Sequence, residues 1–140
     1  MWWIALGALL IIGVAVVLAL SLADGRTRAT ATATLLAGAD SSDEEFCIAV
    51  GASSPTESDL AIRVRRAIAN YAGVPATRIH AETPFSRILA TQFDGGDFFE
   101  IAMLLEADHD IHIPDQERQT DGFSTLHQLV AYLNQPRQNT

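Results

Sequence analysis

Two histidines near the end of a predicted helix have a spacing that could bind a metal ion. His109 and His112 are three residues apart, and Asp108 and Asp110 flank the first of them. Imidazole and carboxylate groups are common zinc ligands, and residues three apart can meet on one helical turn. The helical pattern ends close to these residues, however, and no third ligand is evident nearby. We therefore predict no metal site.

The side chains that could act as nucleophiles or bases are scattered. Cys47 is the only cysteine, so an internal disulfide is excluded and a reducing compartment is indicated. A reactive thiol needs a neighbouring base, and the sequence around Cys47 offers none. His80 and His127 are isolated. Gly95-Gly96 lacks the preceding strand and the basic partner of a phosphate-binding loop. We therefore predict that the chain is not an enzyme and has no catalytic residues.

The charge of the chain excludes a further class of function. The 140 residues include nine basic and seventeen acidic side chains, which gives a formal net charge of -8. Proteins that bind nucleic acid need clustered positive charge, so nucleic acid is not a predicted partner. Arg63, Arg65 and Arg66 are close in sequence, but we expect them on a solvated helix face.

Three segments have the apolar spacing of amphipathic helices. The first follows Pro55, with Thr56 as its predicted cap, and ends at Gly73. The second begins at Asp94 and the third at Ser124, both of which are good N-caps. The residues predicted on the buried faces are Leu60, Val64, Ile68 and Tyr71, then Phe98, Ile101, Ala102, Leu104 and Leu105, then Leu126, Leu129, Val130 and Leu133.

A long loop is predicted over residues 74–93, because Pro75 and Pro84 interrupt any helical pattern there. Its apolar residues would hold it against the helices. A short additional helix is expected over residues 115–119. No segment has convincing strand alternation, so the predicted fold is an all-α bundle of three long helices and one short one. The loop residues predicted to pack inward are Ile79, Phe85, Ile88 and Leu89.

Between Asp59 and Leu133, a little over half of the chain, a set of residues occurs in the order found in a known protein family. The set is Ile62-Arg63-Val64-Arg65-Arg66-Ala67-Ile68, Gly73-Val74, Ile79, Phe85, Leu89, Asp94-Gly95-Gly96-Asp97, Glu100, Met103, Leu105-Glu106, Ile113-Pro114-Asp115, Phe123-Ser124-Thr125-Leu126 and Tyr132-Leu133. In order and nearly in spacing, the chain resembles the acyl carrier proteins. The resemblance implies a four-helix bundle over residues 56–135, followed by a tail over residues 136–140.

One departure from that family removes its chemistry. The family's Asp-Ser-Leu signature would fall on Asp94, Gly95 and Gly96, so only the aspartate matches. In the family, the serine hydroxyl carries 4'-phosphopantetheine through a phosphodiester, and glycine offers no oxygen for that bond. The resemblance therefore implies a degenerate attachment position without the cofactor. An alternative is a carrier modified at another hydroxyl, of which Thr91 and Ser86 are the nearest.

The resemblance also implies a surface for a partner protein. In the family, acidic residues of the second helix meet basic patches on partner enzymes, and the matching residues here are Asp94, Asp97, Glu100 and Glu106. The expected function is protein–protein interaction with a membrane-associated or lipid- or polyketide-type biosynthetic partner. A solvated helix face would show a similar run of acids. A degenerate paralogue that folds but has no partner is a further alternative.

Residues 1–23 are predicted to form a transmembrane anchor. Residues 2–23 have no charged side chain and would span roughly 33 Å as a helix, enough for the core of a bilayer. A cleaved secretory signal is the alternative, but a basic n-region is missing and the apolar run exceeds the usual length. Arg26 and Arg28 follow the span, so the positive-inside bias predicts a single-pass protein with a cytoplasmic C-terminal domain.

Residues 24–55 are predicted to be a flexible tether between the anchor and the helical domain. This segment is rich in Ala, Thr, Ser, Gly and Asp, without sustained periodicity. Asp40, Asp43, Glu44 and Glu45 make it locally acidic, which favours an extended chain. The apolar residues 46–50 offer an alternative, in which this part of the segment docks on the helical domain.

Overall fold

The structure is a computed structural model that describes residues 2–92, 97–109, 111–113 and 123–135, without the side chains of residues 2–13, 108 and 109. The regular elements in these ranges are all helices, so the predicted all-α class is confirmed. They are α1 (Trp2–Leu36), α2 (Asp43–Ala49), α3 (Pro55–Ala72), a 3₁₀ turn (Ala76–Arg78), α4 (Phe85–Leu89), α5 (Phe98–His109) and α6 (Leu126–Leu133).

Helix α3 is the centre of the bundle, because α2, α4, α5, α6 and the 3₁₀ turn all pack on it. Ser54 caps the helix by accepting a hydrogen bond from the backbone N–H of Glu57, and Pro55 occupies the first turn. Gly73 ends the helix at φ +68°, a left-handed conformation that glycine adopts without strain. The predicted end is confirmed, and the cap is Ser54 instead of Thr56.

The predicted apolar stripes form the core. Their side chains are removed from water, which is the main favourable term in folding. The predicted residues with an exposed fraction of 0% are Val64, Ile68, Ile79, Ile88, Ile101, Leu105, Leu126, Leu129, Val130 and Ala102. The predicted residues that are partly buried against this core are Leu60, Tyr71, Leu89, Phe98, Leu104 and Leu133.

The loop predicted over residues 74–93 contains the 3₁₀ turn and α4, and backbone hydrogen bonds tie it to α6. The N–H of His127 donates to the carbonyl oxygen of Ala81, and the N–H of Phe85 donates to that of Ser124, each at 2.9 Å. Helix α6 is capped by Thr125, one residue after the predicted cap. The predicted short helix over residues 115–119 lies outside the described residues.

Helix α5 begins later than the sequence predicts. Its first residue is Phe98, and the carboxylate of Asp97 accepts a hydrogen bond from the backbone N–H of Glu100 at 3.0 Å. This is the geometry of an N-cap, so the capping role predicted for Asp94 belongs to Asp97. The two aspartates are three residues apart, and sequence alone offers no means of choosing between them.

The segment over residues 24–55 differs from the predicted flexible tether. Helix α1 continues to Leu36, and a second helix, α2, follows after six residues. Ser42 and Glu45 form a reciprocal capping box at the start of α2, with distances of 3.1 Å and 2.8 Å. The side chains of Leu35, Phe46, Cys47 and Val50 are buried in the core. The alternative expectation, docking of residues 46–50 on the helical domain, is confirmed.

Threonines inside α1 explain part of this difference. The hydroxyls of Thr27, Thr30 and Thr34 donate to the carbonyl oxygens four residues earlier, at 3.2, 2.9 and 2.7 Å. Side chains bonded in this way are satisfied within a helix, although threonine more often favours caps and turns. A composition rich in alanine and threonine is therefore compatible with helix here.

The position of Arg65 also differs from the prediction, because its side chain is buried instead of lying on a solvated helix face. Its exposed fraction is 0%, and its guanidinium carbon lies 4.7 Å from the centroid of the Phe46 ring. Arg63 and Arg66 remain exposed, as predicted, and pair with Asp59 and Asp43. Arg65 therefore belongs to the contact between α3 and α2.

The structure does not support the predicted transmembrane anchor over residues 1–23. Among the residues that it describes in full, no helix is long and apolar enough to cross a membrane. The side chains of residues 2–13, on which much of that prediction depends, lie outside the description.

Candidate functional site

Helix α5 has a buried face and an exposed apolar patch. Ile101, Ala102 and Leu105 have no exposed surface and pack into the core. Phe99 and Met103 are 46% and 52% exposed. Residues four apart are neighbours on a helix surface, so the two side chains can form one continuous patch.

This patch is unusual within the helical domain. Among the described residues from Gly51 onward, no large apolar side chain other than Phe99 and Met103 is exposed. Single exposed apolar residues need no explanation, whereas neighbouring ones often mark an interaction surface. The signal in the sequence is a pair of apolar residues four apart that falls outside the buried stripe of α5. Met103 belongs to the residues that carry the resemblance, but Phe99 and Met103 were not predicted as a site.

Two of the predicted acidic residues lie beside the patch. Asp97 and Glu100 are both exposed, and the hydrogen bond from the Glu100 N–H to Asp97 brings them together at the start of α5. The Tyr71 hydroxyl donates to Glu100 Oε2 at 2.6 Å, which fixes this carboxylate against α3. We call the surface formed by Asp97, Phe99, Glu100 and Met103 the α5 face. It combines an apolar centre with two negative charges.

Glu106 is not part of the α5 face as defined here, but it is three residues after Met103 and so lies one turn further along the same side of α5. Glu106 Oε1 lies 2.7 Å from His112 Nδ1 and accepts a hydrogen bond from the N–H of Ile113 at 3.3 Å. Ile113 is buried, so Glu106 helps to hold the segment after α5 against the core. The partner-binding role predicted for Glu106 stays a prediction.

The histidine pair considered for metal binding is only partly described. His112 is exposed and contacts Glu106. The side chain of His109 lies outside the description. The spacing of these two histidines therefore remains an observation on the sequence.

The degenerate attachment position, Asp94-Gly95-Gly96, lies outside the described residues. The sequence alone shows that it has no hydroxyl, so the residues present do not fit a phosphopantetheine ester. Of the two nearby hydroxyls, Thr91 is 5% exposed, and its Oγ1 donates to the carbonyl oxygen of Ile88 at 2.7 Å. A transferase cannot reach Thr91 without local opening of the chain.

Ser86, by contrast, is exposed on α4. It lines a cleft of about 440 Å³ between α4, the start of α5 and the segment that precedes α6. Asp97 and the rings of Phe85, Phe98 and Phe123 line the same cleft. Ser86 is thus the more accessible of the two hydroxyls.

A row of aromatic rings beside this cleft positions the start of α5. The Phe98 ring lies 5.3 Å from that of Phe85 and 5.5 Å from that of Phe123, measured between centroids. The Tyr132 ring extends the row at 5.2 Å from Phe123. Aromatic pairs at such distances add to the stabilisation from burial. The row therefore connects α4, α5 and α6 next to the α5 face.

No family model matches the chain, and no solved structure matches it significantly. The likeness to acyl carrier proteins therefore rests on the residues of the sequence.

Proposed function

We propose that the chain is a membrane-anchored, acyl-carrier-like module that is not phosphopantetheinylated and acts by docking on a partner protein. The observation that carries this proposal is the α5 face. Exposed Phe99 and Met103 supply apolar area, and exposed Asp97 and Glu100 adjoin them. Protein interfaces combine an apolar, aromatic-rich centre with a polar rim, and this face has both parts.

The charge of the face indicates the kind of partner. Asp97 and Glu100 lie on a chain with a formal net charge of -8, so its long-range field attracts a basic surface. Complementary charge speeds association and fixes orientation more than it raises affinity. The partner we propose carries a basic patch around an apolar depression and belongs to a lipid- or polyketide-type pathway, as the resemblance implies.

The membrane part of the proposal is supported by the sequence of residues 2–23 and by the exposed side chains of α1. Six apolar residues that follow one another closely on this helix are between 52% and 67% exposed: Val14, Val16, Val17, Leu18, Leu20 and Leu22. Consecutive positions point in different directions around a helix, so the exposed apolar surface is not confined to one stripe. An apolar helix of this kind needs to be covered by lipid or by other helices.

Site-specific photo-crosslinking tests the docking surface. A photoreactive amino acid at Met103 of the full-length chain should crosslink a protein with a basic surface in membranes of the native host. The matched control is the same amino acid at Ile48, which is 71% exposed on α2 and lies outside the α5 face. Capture of the same protein from both positions would contradict the proposal.

A pair of neutral variants tests the charges without breaking the fold. Asp97→Asn keeps a side-chain oxygen for the cap, and Glu100→Gln keeps an acceptor for the Tyr71 hydroxyl. The double variant should fold normally and lose most of the crosslinking from position 103. Unchanged crosslinking would show that the carboxylates do not recognise the partner. Absence of any crosslinked protein would instead favour a degenerate paralogue.

A carrier modified at Ser86 is the second candidate function. It is favoured by the exposure of Ser86 in the cleft beside Asp97 and Phe98. The burial and internal hydrogen bond of Thr91 disfavour the other hydroxyl.

A further inference from the structure

Two arginines from different helices line one cleft. Arg26 on α1 and Arg87 on α4 face a space of about 420 Å³, and both side chains are exposed. The remaining lining residues are Thr27, Thr30, Ala31 and Thr34 of α1. Because these positions follow Arg26 at helical spacing, they form the side of α1 that faces α4. The cleft therefore brings together two cations that are about sixty residues apart in the sequence.

The other arginines that the structure describes all have partners. Arg28 donates to the Thr91 carbonyl oxygen, Arg63 pairs with Asp59, Arg65 and Arg66 pair with Asp43, and Arg78 pairs with Asp40. For the guanidinium groups of Arg26 and Arg87, no hydrogen bond or ion pair with another described residue is found. In a chain with almost twice as many acidic as basic residues, a cleft lined by two arginines and by no acid among the described residues is suited to an external anion.

The threonine hydroxyls of the cleft already donate hydrogen bonds to backbone carbonyl oxygens of α1. Thr30 Oγ1 donates to the Arg26 carbonyl oxygen and Thr34 Oγ1 donates to that of Thr30. An anion in the cleft would therefore be held by the two guanidinium groups. Arginine suits phosphate in particular, since its fork of N–H groups can form two parallel hydrogen bonds to phosphate oxygens.

The position of the cleft along α1 indicates the source of the anion. The run of exposed apolar side chains on α1 ends at Leu22, and Arg26 is four residues later, or about 6 Å along the helix axis. If the apolar part of α1 lies in lipid, Arg26 is at the depth of the headgroups. Asp24, the acid closest to Arg26 in the sequence, lines the adjoining cleft together with Arg28.

We propose that Arg26 and Arg87 together bind the phosphate group of an anionic phospholipid headgroup. This inference rests on the proposed membrane anchor. It adds a lipid preference and a defined orientation, because Arg87 belongs to the helical domain and Arg26 to the helix that would enter the bilayer. A headgroup bound between them would hold the domain against the membrane surface. Free inorganic phosphate has the same chemistry, and the experiment below separates the two sources.

The test uses the full-length chain in a non-ionic detergent. Short-chain phosphatidylglycerol, phosphatidylcholine and inorganic phosphate are titrated separately, and binding is followed by the NMR signals of the arginine Nε–Hε groups. Phosphatidylglycerol should give saturable shifts at Arg26 and Arg87. Each of the variants Arg26→Gln and Arg87→Gln should weaken binding about fivefold, the usual contribution of one basic residue near a membrane surface.

The matched control is Arg63→Gln, which removes one positive charge from an exposed position on α3. It should leave the affinity for phosphatidylglycerol unchanged. The proposal is overturned if Arg63→Gln weakens binding as much, if phosphatidylcholine binds equally well, or if no saturable shift occurs. Inorganic phosphate that binds as tightly as the lipid would show a free-anion site and would also overturn it.

A second experiment separates this proposal from the proposed anchor. The full-length chain is reconstituted with vesicles of phosphatidylcholine alone and washed with alkaline carbonate, and flotation of the vesicles then shows whether the protein is embedded in them. Loss of the protein from the vesicles would contradict the anchor. Embedded protein that does not distinguish phosphatidylglycerol from phosphatidylcholine would leave the anchor standing and would contradict the arginine site.

Discussion

Arg65 Nη1 lies 2.9 Å from Asp43 Oδ1, so a fully buried guanidinium joins α3 to the first turn of α2. The same guanidinium donates to the carbonyl oxygens of Ser41, Ser42 and Ile79 at 2.8, 3.0 and 2.9 Å. A buried charge is tolerated only when its donors are paired, and here they are. The residues that connect α1 to α3 are therefore part of the folded unit, although the sequence resembles a linker there.

Removing this guanidinium should be costly. Arg65→Met should lower the free energy of unfolding by about 3–5 kcal/mol, because Asp43 Oδ1 and three carbonyl oxygens each lose a hydrogen bond from the buried guanidinium. The matched control is Arg66→Met, which removes the other cation beside Asp43. Arg66 is 63% exposed, so the loss there should stay below about 1 kcal/mol. Urea unfolding followed by circular dichroism measures both, and similar losses would contradict the structural role of Arg65.

The burial of Arg65 could not be predicted from the sequence, whereas the buried apolar faces could. The period of apolar residues predicts the inner faces of α3 and α6, because Val64, Ile68, Leu126 and Leu129 recur every three or four positions. Nothing local distinguishes Arg65 from its exposed neighbours. Its burial depends on hydrogen-bond partners that are 14 to 24 residues away in the sequence, and only the fold brings them together.

The helix caps illustrate a finer limit. Ser54 and Thr125 cap α3 and α6, within two residues of the positions predicted from the sequence. Each true cap has another capping residue close to it, so local preference alone cannot decide which one the helix uses. The candidate site has the same limit. Asp97 and Glu100 were predicted, whereas the exposure of Phe99 depends on how α5 packs.

The carboxylate of Glu57 should make the stability of the fold depend on pH in the acidic range. The backbone N–H of Ser53, and then its hydroxyl, donate to Glu57 Oε2 at 2.6 and 2.8 Å, and these bonds hold the pKa of Glu57 below its usual 4.5. A lowered pKa in the folded state contributes stability that is present above the unfolded pKa and is lost as the pH falls through the folded one. In Glu57→Gln, the midpoint of urea unfolding should fall less than in the wild type as the pH is lowered below 4.5. An equal fall in both proteins would contradict this assignment.

Two glycines should respond oppositely to alanine. Gly73 has φ +68° at the end of α3, so Gly73→Ala should destabilise the protein by about 1 kcal/mol, although its Cβ meets no other atom. Gly25 lies within α1, and a Cβ there also meets nothing within 4 Å. Gly25→Ala should therefore stabilise α1 by up to about 1 kcal/mol. Thermal unfolding of the two variants beside the wild type tests the contrast. A change in the unfolding midpoint of the same sign in both variants would contradict the prediction.

Arg78 should protect the connection between α1 and α2 from proteolysis. Its Nε lies 3.1 Å from Asp40 Oδ1, and its Nη1 donates to the Gly38 carbonyl oxygen. Arg78→Met should leave the helical content unchanged and speed cleavage within residues 37–42, because this connection would open more often. Arg63→Met is the control, since Arg63 pairs with Asp59 within α3. Peptide mapping by mass spectrometry after brief digestion locates the cut, and equal rates in the two variants would contradict the prediction.

Ser86 and Thr91 offer the sharpest test between an interaction module and a carrier. We expect the intact mass of the full-length chain to stay unchanged after co-expression with a broad-specificity phosphopantetheinyl transferase, beside a control carrier that is fully modified. The physical reason is that Gly95 has no hydroxyl and Thr91 is buried with its hydroxyl engaged. A gain of one phosphopantetheine that is lost in Ser86→Ala and kept in Thr91→Ala would make the exposed serine of α4 the attachment site. That result would replace the interaction module with a working carrier.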